Sequence, residues 1–194
     1  QYIVKRAYRN GKDQWNILRL KKQTDANRGY YVGTFGDETD EGTGSINKRL
    51  TMLLSMFHVS FPQTIYKHWL SGALHYLYNV DGEIDGNSYL GYLEKMSDAF
   101  FYDRLMRTER DYFEIIFENK CAIQNDQVLP IDLDQNLNIG TNVQNFIFNR
   151  IDYRLWLNFD AYKNDISEKD PDYLNVPTNR FEFGFRSSVE HYAP

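Results

Sequence analysis

The chain has 194 residues, of which 42% are hydrophobic and 16% aromatic, and its formal net charge is −5. This length fits one domain of ordinary size, and so many rings can form a sizeable core, which excludes wholesale disorder. The acidic balance argues against broad, sequence-independent binding of nucleic acid, which relies on Lys and Arg neutralising phosphates, but it leaves room for a small basic patch. No apolar run approaches the ~20 residues that cross a bilayer.

The amino terminus and the cysteine content bear on the origin and the compartment of the chain. The start, Gln1-Tyr-Ile-Val-Lys-Arg6, has no initiator Met and no apolar signal core, so we interpret the chain as a piece of a longer protein. Cys121 is the only cysteine, which excludes an internal disulfide and suits a reducing compartment. We expect Cys121 to be a buried or bystander thiol and the protein to be cytoplasmic.

The first 44 residues show no clear periodic pattern. The stretch 14–20 is compatible with a short helix or a strand, and 27–33 has a turn followed by β-favouring residues. Residues 36–45 are typical of an acidic loop. We therefore expect an irregular amino-terminal part over 1–44.

Helical spacing of apolar residues begins after that loop. It predicts five helices, at about 45–61, 62–79, 88–107, 112–117 and 142–159. Pro62 suits the first turn of the second helix, Thr108 and Asp111 have capping-box spacing before the fourth, and Thr141 or Asn142 can cap the fifth. We expect one shared core that includes Leu50, Leu54, Trp69, Leu93, Phe101, Ile147, Ile151 and Leu155.

The pattern changes near the carboxyl end. Residues 160–179 are polar and contain two prolines, which predicts a linker or a long loop. Phe181, Phe183 and Phe185 then alternate with polar residues and glycine, which is typical of a strand. The predicted fold class is thus mainly α, a multi-helix domain with a small β element near the carboxyl terminus.

Three groups of residues resemble functional sites but also have plain structural interpretations. The loop from Asp81 to Asn87 resembles the first half of an EF-hand, but Tyr92 stands where a bidentate Glu is required, so we interpret it as a polar turn. The helical histidines His58, His68 and His75 lack zinc-ligand spacing and are interpreted as packing or surface residues. Two groups of arginines have acidic residues interleaved, which favours a solvated face over phosphate contact; they are Arg104, Arg107 and Arg110, and Arg150 and Arg154.

The tail carries the most informative pair, Glu190-His191. A carboxylate can bind Mg²⁺ or a similar ion, and a neutral imidazole can take a proton from an attacking water, so an acid–His pair suits a metal nuclease. Adjacent side chains on a strand point to opposite faces. A turn or a bulge at Glu190 is therefore needed to direct both side chains at one site.

The tail Ser188-Val-Glu-His-Tyr-Ala-Pro194 resembles the opening motif, Asp/Glu-His-x-x-Pro, of HNH (ββα-metal) endonucleases. From Phe185 onward it is similar to the start of the carboxy-terminal nuclease domain in GmrSD-like proteins, bacterial restriction proteins directed at modified phage DNA. The stretches Leu50–Pro62, with His68-Trp69 beyond it, and Asn145–Trp156 are similar to the helical region of that family, so the resemblance spans roughly 45–194.

The resemblance implies that Glu190 is a metal ligand and His191 a general base in a longer parent protein. It implies Mg²⁺ or Mn²⁺ in the parent and no cofactor in this chain, because the later Asn and His of the HNH motif and the family's NTPase motifs are not in the sequence. The chain would then hold a helical domain over 1–179 and the start of an HNH-like domain over 180–194. Its expected partners are the other domains of the parent and DNA, with no membrane. A helical protein-interaction module with no nuclease attached is the alternative, and a complete enzyme of another type is a third.

Overall fold

The computed structural model of the chain describes residues 1–9, 11–23, 28–36, 45–107, 110–118, 136–159 and 181–185. The chain divides into two compact units. The first unit comprises Gln1–Met56 and Asn149–Phe183, and the second comprises Phe57–Phe148 and Gly184–Pro194.

Two antiparallel hairpins open the chain. Strand β1 (Lys5–Arg9) pairs with β2 (Lys12–Asn16), and Gly11 between them has a φ of +80°, a conformation that glycine adopts without steric cost. Strand β3 (Leu18–Lys22) pairs with β4 (Gly29–Gly33). The expectation of an irregular part over 1–44 is therefore wrong for the residues that form these four strands.

The fold is mixed α/β, which corrects the predicted fold class of a mainly α domain with a β element near the carboxyl terminus. Among the described residues, the β structure consists of two two-stranded sheets near the amino terminus. Phe181–Phe185, for which the alternation predicted a strand, has no strand conformation. A period of two only sets the directions of side chains, whereas a strand also needs a neighbour that completes its hydrogen-bond ladder. Within the described ranges, none of the four strands pairs with this segment.

The helices follow the hairpins. The described residues form five α-helices, namely α1 (Ile46–Ser60), α2 (His68–Asn79), α3 (Gly86–Ala99), α4 (Tyr112–Phe117) and α5 (Asn145–Leu157). Short 3₁₀ turns lie at Thr64–Tyr66 and Gly140–Asn142. Helix α3 continues into wider π-helical turns over Phe100–Arg107. Each of the five predicted helical segments overlaps one of these helices.

Helix α4 begins at Tyr112 as predicted, whereas the starts of the other four helices differ from the predicted ones. Helix α2 begins at His68 rather than at Pro62, because a 3₁₀ turn intervenes. The Asp85 carboxylate caps α3 by accepting a hydrogen bond from the backbone N–H of Ser88 at 2.7 Å. The cap of α4 is Asp111, which accepts from the backbone N–H of Phe113 at 2.6 Å. Thr108, the predicted first member of that capping box, lies outside the described residues.

Aromatic rings form the centre of the second unit. Phe57 stacks on Trp69 with ring centroids 5.8 Å apart and also contacts Phe100 and Phe146, each at 5.9 Å. All four rings are buried, and these separations fall in the range of favourable aromatic pairs. The end of α1, the start of α2, the π-helical turns and the start of α5 thus share one core.

Helices α2 and α3 pack closely because one of their contact positions is a glycine. A Cβ at Gly72 would collide with the sulfur of Met96. The Tyr92 hydroxyl donates to the carbonyl of Gly72 at 3.1 Å, and the Tyr76 ring stacks on Tyr89 and Tyr92. Burial raises the pKa of the Tyr89 hydroxyl, so this phenol stays protonated.

The predicted core is only partly correct. Leu50, Leu54, Trp69, Leu93 and Ile147 are buried, and Phe101 is half-buried. Ile151 and Leu155, however, are 43% and 52% exposed. Over its second half, α5 instead buries Tyr153 and Trp156, and the Lys48 ammonium lies 5.9 Å from a ring centroid of Trp156.

The helices also bear on membrane association. Within the described ranges, none of them combines the length and the apolar character needed to span a bilayer.

Candidate functional site

The two residues predicted to act in catalysis, Glu190 and His191, lie outside the described residues, which end at 185. Cys121 lies outside them as well. The structure does describe Phe181–Phe185, the segment that leads to Glu190 and His191. Phe181 and Phe183 belong to the first unit and Phe185 to the second, and each makes contacts within its own unit.

In the first unit, Phe183 is held by β2. The indole Nε1 of Trp15 donates a hydrogen bond of 2.7 Å to the carbonyl oxygen of Phe183, and the Phe183 side chain is 2% exposed. The Phe181 ring packs edge-on against Phe183 with centroids 5.0 Å apart. This buried hydrogen bond joins residues 168 positions apart in the sequence.

Trp15 is itself fixed by its neighbours in the first hairpin. The guanidinium of Arg6 lies 5.1 Å from a ring centroid of Trp15, and the register pairs these two residues across the strands. The Arg6 side chain in turn forms an ion pair of 3.3 Å with Asp13. The series Asp13, Arg6, Trp15 and Phe183 thus ties the segment to the hairpin.

In the second unit, Phe185 lies against α1. Its ring meets the His58 imidazole edge-on with centroids 5.7 Å apart, and His58 also lies edge-on to Trp69 at 6.1 Å. The pKa of His58 is lowered, first by burial and then by the positive charge of Lys67. A neutral imidazole packed between rings serves as a packing residue here, as the sequence interpretation held.

The other two helical histidines also contact rings. His68 stacks on Tyr112 at 4.4 Å, and His75 lies edge-on to Phe117 at 4.9 Å. The EF-hand-like loop uses its Asp85 carboxylate as the cap of α3, and hydrogen bonds from Ser88 lower the pKa of that carboxyl. Among the described residues, no three His, Cys, Asp or Glu side chains lie close enough together to hold a metal ion.

A cleft of about 430 Å³ lies beside the stacked pair His68 and Tyr112 in the second unit. The Arg104 guanidinium sits 5.3 Å from the Tyr112 centroid, and its Nη1 donates to the carbonyl of Arg110 at 3.4 Å. Burial raises the pKa of Tyr112, while Arg104 opposes that rise. A guanidinium, an imidazole and the amide of Gln144 line this cleft, so it could hydrogen-bond a small polar molecule.

Of the arginines predicted to lie on solvated faces, Arg150 departs from that prediction. Arg150 is only 6% exposed, whereas Arg154 is exposed. Arg110 approaches the buried carboxylate of Asp103 at 4.0 Å. Local acidic partners therefore fit Arg110, but Arg150 lies in the interior.

Part of this site was beyond sequence reasoning. Trp15 lies in a segment whose sequence is compatible with either a short helix or a strand, so the sequence does not show which face its ring occupies. Asn10-Gly11 is a strong hairpin signal, and it would have placed Trp15 on a strand opposite Arg6. Nothing in the sequence pairs Trp15 with Phe183.

Comparisons with known proteins identify no family for this chain. No family model matches it, and neither a similar curated protein nor a similar solved structure was found.

Proposed function

We propose that this chain is the positioning domain of a larger, bacterial phage-defence endonuclease of the GmrSD-like kind, and that it is itself non-catalytic. One observation carries the proposal. Phe183, seven residues before Glu190, is anchored in the first unit by the buried hydrogen bond from Trp15. An anchor so close to an acid–His pair limits where that pair can lie. Because a small misplacement of a reacting group can cost a large factor in rate, such anchoring is a function in its own right.

The roles in the parent follow from the chemistry of the two side chains. Glu190 would supply one carboxylate ligand to Mg²⁺ or Mn²⁺, and His191 would accept a proton from water. Mg²⁺ requires near-ideal octahedral coordination, so one carboxylate does not make a site. The remaining ligands would have to come from the nuclease domain of the parent.

The first test is the sequence that the gene encodes after Pro194. The proposal requires an Asn and a His at HNH spacing on a following helix. A gene that ends at Pro194, or that continues without these residues, contradicts it.

A helical protein-interaction module without a nuclease is the second candidate. Ile151 and Leu155 favour it, because they are exposed, lie one turn apart on α5 and form an apolar strip. An Ile151→Asp and Leu155→Asp double variant tests this candidate. Loss of a protein partner that the unaltered chain binds supports the interaction module, and unchanged binding of that partner contradicts it.

A further inference from the structure

The positive charge of the chain is concentrated at its amino end. Residues 1–33 contain eight Lys or Arg and two Asp, whereas 34–194 contain fourteen Lys or Arg and 25 Asp or Glu. Four of those acids stand at 37–41, directly after the hairpins in the sequence. The net charge of −5 is therefore the sum of a basic segment over 1–33 and an acidic remainder over 34–194.

The hairpin of β3 and β4, here called the ribbon, carries three of these cations on one face. Arg19 pairs across the strands with Val32, and Lys21 pairs with Tyr30. The backbone N–H of Gln23 donates to the carbonyl of Arg28 at 3.1 Å, which extends the ladder by one pair. Alternation then places six side chains on one side, here called the basic face; they are Arg19, Lys21, Gln23, Arg28, Tyr30 and Val32, of which Val32 is half-buried.

The opposite side of the ribbon differs in character. It presents Leu20 and Tyr31, which are 52% and 53% exposed, together with Lys22. The ammonium of Lys5, from the first hairpin, lies 5.0 Å from the Tyr31 centroid. The two faces are therefore distinct in character, and Lys5 contacts the face that carries Leu20 and Tyr31.

The ribbon is exposed on both faces. Every described residue over 19–23 and 28–31 is exposed, including Tyr30 at 46%. An isolated two-stranded hairpin is marginally stable in water, so an extended, exposed ribbon gains stability from a partner. Within the part of the chain that is described, Arg19, Lys21 and Arg28 form no ion pair, in contrast to Arg6 with its Asp13 partner.

We infer that the ribbon binds duplex DNA by entering the major groove, with the cations of the basic face on phosphates. The major groove of B-form DNA admits a two-stranded ribbon, because it is ~12 Å wide and paired strands lie only ~4.8 Å apart. Arg19, Lys21 and Arg28 supply phosphate contacts. The Tyr30 hydroxyl and the Gln23 amide reach sugar or base edges from the same face.

The geometry favours duplex DNA over other polyanions. The major groove of A-form RNA is deep and narrow, so a ribbon cannot enter it. A single strand offers no groove, and its binding relies on rings that stack successive bases, whereas the basic face has the one ring of Tyr30. The inference goes beyond the proposed function, because it concerns binding by this chain alone and does not require that His191 take part in cleavage.

The test is fluorescence anisotropy of the 194-residue chain with a labelled DNA duplex of roughly 20 base pairs, two helical turns, over a series of salt concentrations. The triple variant Arg19→Gln, Lys21→Gln and Arg28→Gln is compared with the unaltered chain. A matched triple variant, Lys12→Gln, Lys95→Gln and Arg154→Gln, removes the same charge from exposed residues elsewhere. Duplex RNA and single-stranded DNA of the same sequence and poly-glutamate serve as competitors.

The unaltered chain is expected to bind duplex DNA, and the logarithm of its affinity should fall linearly with the logarithm of salt concentration. The basic-face variant should lose about 3 in that slope, roughly one per phosphate contact removed, while the matched variant keeps most of it. All variants should melt at similar temperatures, because the changed residues are exposed. Absence of binding at low salt, an equal loss in the matched variant, or equally effective competition by RNA, single strands or poly-glutamate would overturn the inference.

Discussion

At the residue scale, His58 is a histidine whose surroundings favour a packing role over that of a metal ligand or a base. Its ring lies edge-on to Trp69 and Phe185, and burial followed by the charge of Lys67 lowers its pKa. A histidine in a helix is a candidate ligand or base on residue type alone. Its aromatic neighbours and lowered pKa make it a neutral packing residue.

This environment predicts a pH dependence of stability. Because the folded-state pKa of His58 lies below its ordinary value of 6.5, the unfolded chain binds more protons between the two values, and the free energy of unfolding rises with pH in that window. The contribution of His58 is therefore present above about 6.5 and is lost as pH falls toward the folded-state pKa. A His58→Phe variant, which keeps a ring, should show a flatter decline in melting temperature between neutral and mildly acidic pH.

The control for this prediction is His75→Gln, which leaves His58 in place and should decline as the unaltered chain does. An unchanged decline in His58→Phe would mean that other groups set the pH dependence.

Residue-level predictions from sequence succeeded where the signal was local. Helical spacing identified Leu50, Leu54 and Leu93 as buried, because α1 and α3 have apolar positions that must lie against the interior. It failed for Ile151 and Leu155, because α5 has apolar residues on nearly every side. Spacing along such a helix cannot decide which side the rest of the fold covers.

At the element scale, Phe181–Phe185 shows that an alternating sequence does not form a strand unless a neighbouring strand pairs with it. Its alternation predicted a strand, but its order comes from side chains, through the Trp15 bond to the Phe183 carbonyl and the contact of Phe185 with His58. Strands β1 and β3 are rich in Lys and Arg and lack a continuous apolar face, so their sequences do not show a strand pattern, whereas the β-favouring residues within 27–33 do form β4. The Asn10-Gly11 turn was the local signal for the first of the two hairpins.

The Trp15 anchor gives the element-scale prediction. In Trp15→Phe the ring is largely retained but the indole N–H is lost, which leaves the carbonyl of buried Phe183 without its donor and should lower the free energy of unfolding by roughly 1–3 kcal/mol. Chemical denaturation measures this loss. Chymotrypsin, which cuts after aromatic residues, should also cleave after Phe183 faster in the variant than in the unaltered chain.

Tyr8→Phe is the matched control, since Tyr8 is an aromatic residue of the neighbouring strand that is 77% exposed. It should leave both the stability and the cleavage after Phe183 unchanged. Equal proteolysis of Trp15→Phe and the unaltered chain would show that the hydrogen bond does not hold the segment.

At the scale of the whole molecule, sequence and structure combine a basic amino-terminal ribbon, aromatic helical packing and a tethered segment before Glu190 and His191. The helices followed from apolar periodicity, which is a local property. The division into two units, each built from distant parts of the chain, did not follow, because contacts between residues far apart in sequence leave no periodic trace. The same limit applies to the bond between Trp15 and Phe183.

We propose that the folded chain positions Glu190 and His191 for DNA cleavage in a longer parent. The most direct measurement is the rate at which the purified parent cleaves modified DNA, compared with its His191→Ala, Trp15→Phe and Tyr8→Phe variants, with melting temperatures in parallel. His191→Ala should lose ~10²–10⁴ in rate without unfolding, since a positioned base is removed. Trp15→Phe should lose up to ~10², through misplacement, and Tyr8→Phe should cleave normally. Equal cleavage by the unaltered parent and His191→Ala, or full cleavage by a folded Trp15→Phe, would contradict the account.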